Sequence, residues 1–269
     1  MTNRPVAFIT GASQGIGAAT ANEFAQRGYD VALLARNEAN LNEVAEQVRS
    51  YGGNAIVLPV DLVDIDKAEQ AVAKTAEQFG RIDVLVNNAA WRELVTMNKI
   101  TLESWDKTIR IMLTAPAFLS RFVAPHMAEQ GKGVIVMISS IMSQVTSGSG
   151  PPYIAAKGGL DNLTRDLAVL WGRKGIRVVA VNPGAIDTEM SGDYTSPDGE
   201  NLTRQLRARS EDVIPLARWG KPEEIAKCIA WVASDDASYI TGTRINADGG
   251  WLANQNPYDS KRMQFPDEY

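Results

Sequence analysis

Residues 10–17 read Thr10-Gly11-Ala12-Ser13-Gln14-Gly15-Ile16-Gly17, and they continue an apolar run, Val6–Thr10. An apolar run that leads into closely spaced glycines is typical of a turn from a buried strand into a helix. Glycines at such a turn let the backbone approach a pyrophosphate, whose charge is held by free N–H groups and the helix dipole. The segment therefore predicts a dinucleotide-binding turn near the start of the chain.

Six short apolar runs extend this pattern, and each is nearly continuous rather than alternating. They are Val6–Thr10, Val31–Ala35, Ala55–Val60, Val84–Val86, Val134–Ile138 and Val178–Val181. Continuous apolar runs are typical of strands buried on both faces of a parallel sheet, and segments with helical periodicity separate them. The alternation predicts an α/β protein: a single-domain Rossmann fold with a doubly wound, mostly parallel sheet of about seven strands.

Two segments interrupt the alternation. Residues 184–217 are rich in Ser, Thr, Asp, Gly and Arg, which predicts a long loop with little helix. A loop of this length in a compact domain usually covers a binding site, so we expect a substrate loop. The polar residues 251–269 are expected to form a C-terminal tail. Residues 1–250 are then one dinucleotide-binding and catalytic domain into which loop 184–217 is inserted.

Composition and charge exclude several classes of protein. The chain has 269 residues and a net charge of −5, which argues against nucleic acid or an anionic membrane as partner. Its apolar stretches are far shorter than the roughly 18 residues of a membrane span. A single cysteine, Cys228, fits a reducing cytoplasm, and a single histidine, His126, excludes any metal site that needs two. We expect a cytoplasmic protein without a metal.

The glycine-rich turn has a competing interpretation. Gly11-Ala12-Ser13-Gln14-Gly15 also fits G-x-S-x-G, the nucleophile turn of α/β hydrolases. Such an enzyme needs an acid and a histidine after the serine, and His126 is the only histidine of the chain. Because His126 falls inside a predicted helix, hydrolysis with Ser13 as nucleophile stays open only as a lesser alternative.

The end of the second predicted strand bears on the choice of cofactor. In dinucleotide folds an acidic residue about 20 residues past the glycines binds the ribose 2′-hydroxyl, whereas a basic residue there accepts a 2′-phosphate. This strand ends with Ala35 and Arg36, so a guanidinium stands where NAD binding prefers a carboxylate. Glu38 argues for NAD, but it falls in the following helix. The sequence favours NADP(H) and leaves NAD(H) open.

Three polar residues carry the expected chemistry. Ser140 follows the fifth predicted strand, Tyr153 comes 13 residues later, and Lys157 follows Tyr153 at i+4. On a helix, Tyr153 and Lys157 share one face about 6 Å apart along the axis. A free tyrosine has a pKa of about 10, and a cation roughly 4 Å away is strong enough to lower it by about three. Lys157 and the oxidised nicotinamide together are therefore expected to bring the pKa of Tyr153 toward neutral pH.

With these motifs in order, the sequence resembles the short-chain dehydrogenase/reductase family from Thr10 to Gly250. The resemblance is closest to its ketoacyl-carrier-protein reductase and sugar dehydrogenase subgroup. It implies an NAD(P)-dependent oxidoreductase that interconverts a secondary alcohol and a ketone or aldehyde, and a homo-oligomer, either a tetramer or a dimer. The matching motifs are the glycine turn, Asp61-Leu62, Asn87-Asn88-Ala89, Ser140 with Tyr153 and Lys157, and Asn182-Pro183-Gly184 with Thr188.

The resemblance also implies a role for each matched residue. Tyr153 would give or take the hydroxyl proton, Ser140 would bind the substrate oxygen, and Lys157 would also hold the nicotinamide ribose. Cofactor contacts are expected from Gly11, Ser13, Gln14, Gly15, Ile16, Gly17, Arg36, Asp61, Leu62, Asn88, Ala89, Tyr153, Lys157, Pro183, Gly184, Ile186 and Thr188. Substrate contacts are expected from Trp91, Arg92, Val145 and Tyr194.

Two positions depart from the family pattern. Ala90 stands where the family has a glycine after Asn-Asn-Ala, and Met112 stands where it has an asparagine that anchors a proton-relay water. A thioether cannot replace an amide as a hydrogen-bond donor. The departure keeps open a second function, a nucleotide-binding protein on a reductase scaffold with weak catalysis.

Overall fold

The computed structural model describes residues 4–191, 194, 196, 198–254 and 256–269. Within these residues, seven parallel strands form one sheet with the order β3-β2-β1-β4-β5-β6-β7. The predicted Rossmann fold is therefore confirmed. The strands are β1 (Val6–Thr10), β2 (Asp30–Ala35), β3 (Ala55–Pro59), β4 (Val84–Asn87), β5 (Gly133–Ile138), β6 (Ile176–Pro183) and β7 (Thr243–Ala247).

Helices cover both faces of the sheet. The α-helices of the described chain are α1 (Gly15–Gln26), α2 (Glu38–Ser50), α3 (Ile65–Phe79), α4 (Leu102–Ile109), α5 (Ala115–Glu129), α6 (Pro151–Trp171), α7 (Thr203–Glu211), α8 (Pro222–Ala233) and α9 (Tyr258–Gln264). One face of the sheet packs against α1, α2 and α8, and the other packs against α3, α5 and α6. A π-helical turn, Arg110–Thr114, joins α4 to α5.

Strand β1 shows why the apolar runs are continuous. Phe8 packs into the core that α3, α5 and α6 cover, and Ile9 packs into the core under α1 and α2. Both side chains are fully buried. Because a strand between two helix layers must be apolar on both faces, its sequence has no polar alternation. Each such side chain contributes about 1.5–3 kcal/mol through burial.

Three elements differ from the expectations. The sequence of strand β7 contains no apolar run, so this strand was not predicted. It lies at the edge of the sheet, where Thr243 and Arg244 are exposed. Residues 184–217 contain a 3₁₀ turn, Glu189–Ser191, and the whole of α7, so the expectation of little helix was wrong. None of the described residues of α7 is buried, and its sequence therefore lacks an apolar stripe. Of this loop, residues 192, 193, 195 and 197 lie outside the described residues.

Residues 251–269 are not a bare tail. They begin with a 3₁₀ turn, Trp251–Ala253, and they include α9, which docks beyond the end of α7. The backbone N–H of Tyr258 donates to the carbonyl of Asp212 at 3.0 Å, and Arg262 donates to the Asp212 carboxylate at 2.9 Å. Residue 255 lies outside the described residues. In the described chain, no helix is both long enough and apolar enough to cross a bilayer.

Candidate active site

A cavity of about 1130 Å³ lies at the carboxyl ends of the strands, where open α/β sheets bind their ligands. It extends from Arg36, after β2, past Tyr153 to the loop segment 184–217 and Trp251. All the residues predicted to bind the cofactor line it except Gly17. The fold thus brings together residues that are up to 240 positions apart in sequence, from Gly11 to Trp251.

The glycine turn is shaped to receive an anion. Gly11 and Gly15 have φ angles of +65° and +54°, which side chains rarely adopt, so both positions favour glycine. Helix α1 begins at Gly15, and among the described residues no side chain caps it and no acid lies in its first turn. Its first N–H groups are therefore left to a ligand such as a pyrophosphate, and the turn fits a dinucleotide.

Gly17 has a different role from the one expected. It lies in α1 and packs against the turn instead of lining the cavity. A Cβ atom at this position would overlap the carbonyl oxygen of Gly11 and come within 2.7 Å of the Asn88 amide nitrogen. The residue is glycine because the helix and the turn touch there, so its effect on a cofactor is indirect.

Asn88 and Thr10 brace the turn from the neighbouring strand. The hydroxyl of Thr10 accepts hydrogen bonds from the backbone N–H groups of Asn88 and Ala89, at 2.9 and 3.0 Å. The Asn88 side chain donates in return to the carbonyls of Thr10 and Gly11, at 3.0 and 3.2 Å. Thr10 was not predicted as a site residue, although a polar residue at the carboxyl end of a buried strand could have indicated one.

The three candidate catalytic residues lie together in the lining of the cavity. Lys157 is buried, and its Nζ donates to the carbonyl of Ile138 at 2.6 Å. Burial lowers the pKa of Lys157 to about 7, although the nearby Asp161 carboxylate raises it in part. Burial raises the pKa of Tyr153, and a hydrogen bond with Ser140 offsets part of that rise.

Lys157 and the oxidised nicotinamide were together expected to lower the pKa of Tyr153. The protein's own groups on balance raise that pKa. The lysine Nζ lies 5.5 Å from the centroid of the tyrosine ring and turns toward the Ile138 carbonyl. With a pKa of about 7, Lys157 is also only about half protonated at neutral pH. Among the protein's own groups, desolvation therefore outweighs the two effects that lower the pKa of Tyr153, which are the Ser140 hydrogen bond and the Arg92 charge.

A buried polar cluster that was not predicted holds the turn after Ser140. The Asp161 carboxylate accepts hydrogen bonds from the Ser143 hydroxyl at 2.6 Å and from the Asn182 amide at 3.1 Å. The same amide donates to the carbonyl of Ser140 at 3.0 Å. Tyr153, Lys157 and Asp161 follow one another at i, i+4 and i+8 on α6, so helical spacing was the available signal.

Met112 lies in the π-helical turn, and only 1% of its surface is exposed. It forms an apolar cluster with Ile111 and Ala156, against which Trp91 and Tyr153 pack. The thioether thus fills space beside the helix that carries Tyr153.

The substrate end of the cavity agrees only partly with the prediction. Trp91, Arg92 and Tyr194 line it, but Val145 does not; its side chain is 42% exposed outside the cavity. Six large side chains that were not predicted complete the wall. They are Leu94, Met142, Met190, Leu206, Trp219 and Trp251. Met190, Leu206 and Trp251 belong to segments that were expected to be loop or tail, so the sequence offered no reason to place them here.

Comparison with known proteins agrees with this geometry. A family model described as Enoyl-(Acyl carrier protein) reductase matches residues 11–252. An uncharacterized oxidoreductase of Thermotoga maritima is 40% identical over 92% of this chain and 97% of its own. The cis-4-hydroxycyclohexanecarboxylate dehydrogenase of Sinomonas cyclohexanicum is 37% identical over 92% and 96%. The crystal structure of carveol dehydrogenase from Mycobacterium avium in complex with NAD superposes with a TM-score of 0.88, at 30% identity over 93% and 98%. The chain therefore belongs to the short-chain dehydrogenase/reductase family of oxidoreductases.

Proposed function

We propose that this protein is an NADP(H)-preferring oxidoreductase that interconverts a secondary alcohol and a ketone or aldehyde by hydride transfer. One observation carries the proposal: the glycine turn and the group of Ser140, Tyr153 and Lys157 line the same cavity. One bound dinucleotide could then reach both parts of the site. Its pyrophosphate would lie at the glycine turn, and its nicotinamide would lie near the proton-transfer groups. The dehydrogenase named for a hydroxycyclohexanecarboxylate supports an alcohol as the substrate class.

The chain's own residues bind and polarise the substrate oxygen. A bound nicotinamide supplies or accepts the hydride. Ser140 and Tyr153 present their hydroxyls to the carbonyl oxygen, and Tyr153 gives up its proton as that oxygen becomes a hydroxyl. Because burial raises the pKa of Tyr153, this hydroxyl is protonated at neutral pH and suited to the reductive direction. Lys157, with a pKa of about 7, exchanges protons readily at the same pH.

Arg36 supports the preference for NADP(H). It is exposed at the end of β2, and in the described part of the chain it forms no ion pair with a carboxylate. Glu38 is the first residue of α2, so it belongs to the helix rather than to the strand end. A guanidinium at this position can hydrogen-bond a 2′-phosphate through two N–H groups.

Removal of this guanidinium tests the cofactor preference. A charge-assisted hydrogen bond is worth ~1.5–3 kcal/mol, so Arg36→Ala should weaken NADPH binding about 10–100-fold. NADH binding should remain nearly unchanged, since NADH has no 2′-phosphate. Calorimetric titration of wild type and variant with both nucleotides measures this. Equal losses for the two nucleotides would remove Arg36 from this role.

A cofactor-consumption assay tests the proposed activity against its alternatives. The purified protein is offered ketones, sugars and ketoacyl thioesters with NADPH and with NADH, and consumption of NADPH by at least one carbonyl substrate is expected. Tight nucleotide binding without turnover on any compound would favour the nucleotide-binding protein with weak catalysis. Ester cleavage that is lost in Ser13→Ala would favour the hydrolase.

The proposal includes a homo-oligomer, a tetramer or a dimer, in the cytoplasm. Large apolar side chains at the surface support self-association: Leu102 of α4 is 75% exposed and Val169 of α6 is 84% exposed. An interface between copies would remove such side chains from water. Light scattering on the purified protein measures the mass of the assembly, and a monomer would contradict this part of the proposal.

A further inference from the structure

Arg92 places a positive charge at the substrate end of the cavity. The described residues that line the cavity include three cations. Arg36 lies at the cofactor end, and Lys157 lies in the floor beside Tyr153. Arg92 belongs to the loop after β4, next to Trp91, and it is the cation nearest to where the rest of a substrate would extend.

The structure fixes both the loop that carries Arg92 and the Arg92 side chain itself. The backbone N–H of Gly150 donates to the carbonyl of Val95 at 2.8 Å, which ties the Arg92 loop to the N-terminus of α6, three residues before Tyr153. The Arg92 guanidinium donates to the carbonyl of Met190 at 2.8 Å. The loop that carries Arg92 is therefore tied to the catalytic helix, and the Arg92 side chain is tied to loop segment 184–217.

The charge of Arg92 is not neutralised by the described residues. None of their carboxylates forms an ion pair with it, and the adjacent Glu93 instead accepts a hydrogen bond from the Ser104 hydroxyl at 2.6 Å. A guanidinium has five N–H donors, so the bond to Met190 leaves others for a ligand.

Large apolar side chains share this cavity with Arg92. Trp91 and Leu94 belong to the same loop, and Met142 and Trp219 belong to other parts of the lining. A phosphate dianion is usually held by several cations, whereas one guanidinium matches a carboxylate through two parallel hydrogen bonds. The lining carboxylates lie elsewhere: Asp61 follows β3, and the Glu189 carboxylate lies beside Gly15.

We propose that Arg92 binds a carboxylate of the substrate, so that the protein acts on hydroxy acids and keto acids with an apolar carbon chain between the carboxylate and the reacting carbon. This inference rests on the proposed oxidoreductase function. Arg92 would be a specificity residue: its guanidinium would hold one end of the substrate while Tyr153 and Ser140 bind the oxygen at the other. An uncharged ketone would still react, but it would bind more weakly.

Matched acids and esters test the inference. The probes are 3-oxobutanoate, 4-oxopentanoate and 5-oxohexanoate, each beside its methyl ester, with NADPH as reductant. Wild type should reduce at least one acid with kcat/KM about 10-fold or more above that of its ester. Arg92→Gln should raise the KM of that acid about 10–100-fold with little change in kcat, because it removes a charge-assisted hydrogen bond made before the reaction. The ester should change less than about 2-fold.

Two further variants separate recognition from a general effect. Arg92→Lys should restore part of the preference for the acid, since an ammonium keeps the charge but not the two parallel hydrogen bonds. Arg121→Gln removes an exposed cation of α5 that does not line the cavity, and it should leave both substrates unchanged. Equal losses for acid and ester in Arg92→Gln would mean that Arg92 only holds loop segment 184–217, and would overturn the inference.

The outcomes distinguish this inference from the proposed function. Reduction of esters but not of acids overturns the carboxylate site and leaves the oxidoreductase standing. If no probe is reduced, calorimetric titration of the NADPH-loaded protein with hexanoate decides instead. Weaker hexanoate binding in Arg92→Gln than in wild type supports the carboxylate site, and equal binding or none overturns it.

Discussion

The two ends of the cavity are built by different means. At the cofactor end, Gly11, Gly17 and Asn88 touch through backbone and amide atoms beside the ends of fully buried strands. At the substrate end, loop segment 184–217 has buried anchors in Ile186 and Ile214, but between them none of the described residues of α7 is buried. Arg207 pairs with Asp187 at 3.2 Å, and side chains of both are more than a third exposed.

This difference has an energetic meaning. Burial of an apolar side chain contributes about 1.5–3 kcal/mol, whereas an exposed ion pair contributes about 0–1 kcal/mol. The cofactor end is therefore fixed by the core itself, whereas the part of the substrate end between Ile186 and Ile214 is held more weakly. A rigid cofactor turn beside an adaptable wall is a suitable arrangement for an enzyme whose substrates vary among relatives while its cofactor chemistry does not.

The largest expected effect is at the cofactor end. Gly17→Ala should lower the free energy of unfolding by about 3 kcal/mol, because the new Cβ overlaps the Gly11 carbonyl. Gly158→Ala is the matched control: its Cβ meets nothing within 4 Å in α6, so it should stabilise by about 0.5–1 kcal/mol. Urea unfolding measures both. A Gly17→Ala protein as stable as wild type would show that the turn yields easily and that the core does not fix the cofactor end.

The next effect comes from the buried Lys157. Its pKa falls from 10.5 to about 7 on folding, so between these values the unfolded chain binds more protons than the folded one. The free energy of unfolding should therefore rise with pH, and Lys157 alone should raise it by ~2 kcal/mol between pH 7 and pH 9. Below pH 7 the folded protein carries the buried charge, and the full penalty for burying it applies. Urea unfolding at both pH values should show this rise in wild type and not in Lys157→Met. Equal pH slopes for the two proteins would contradict the burial argument.

The smallest effect is expected at the substrate end. Asp212 accepts hydrogen bonds from the Asp259 backbone at 3.3 Å and from Arg262 at 2.9 Å, and these bonds help to dock α9. Asp212→Asn should change the free energy of unfolding by less than about 1 kcal/mol while speeding amide exchange in α9. Asp235→Asn, which breaks an exposed pair with Lys132, is the control and should leave α9 unchanged. A large global loss in Asp212→Asn would mean that this end is as firmly fixed as the other.

The same contrast explains what the sequence could predict. The strand ends and the residues on them were predictable, because buried strands leave continuous apolar runs such as Val134–Ile138. Helix α7 left no pattern because none of its described residues is buried, and the edge strand β7 likewise has exposed polar positions. The position of Val145 outside the cavity depends on the path of a loop, which local sequence does not specify.

The electrostatics of the site were the least predictable part. Helical spacing correctly put Tyr153 and Lys157 on one helix, but the direction of the tyrosine pKa depends on desolvation by distant chain segments. The lysine likewise turns toward Ile138, a contact 19 residues away in sequence. Such effects follow from the packed structure and not from the spacing of two residues.

The most direct test of the central claim is the replacement of one hydroxyl. Tyr153→Phe removes the proposed proton donor and leaves the glycine turn, Arg36 and the apolar walls in place. Turnover on a carbonyl substrate of the wild type should fall at least ~100-fold, the usual scale of general acid–base catalysis, while the Kd for NADPH stays the same. If the variant keeps most of its turnover, Tyr153 is not the proton donor and the mechanism proposed for this cavity is wrong.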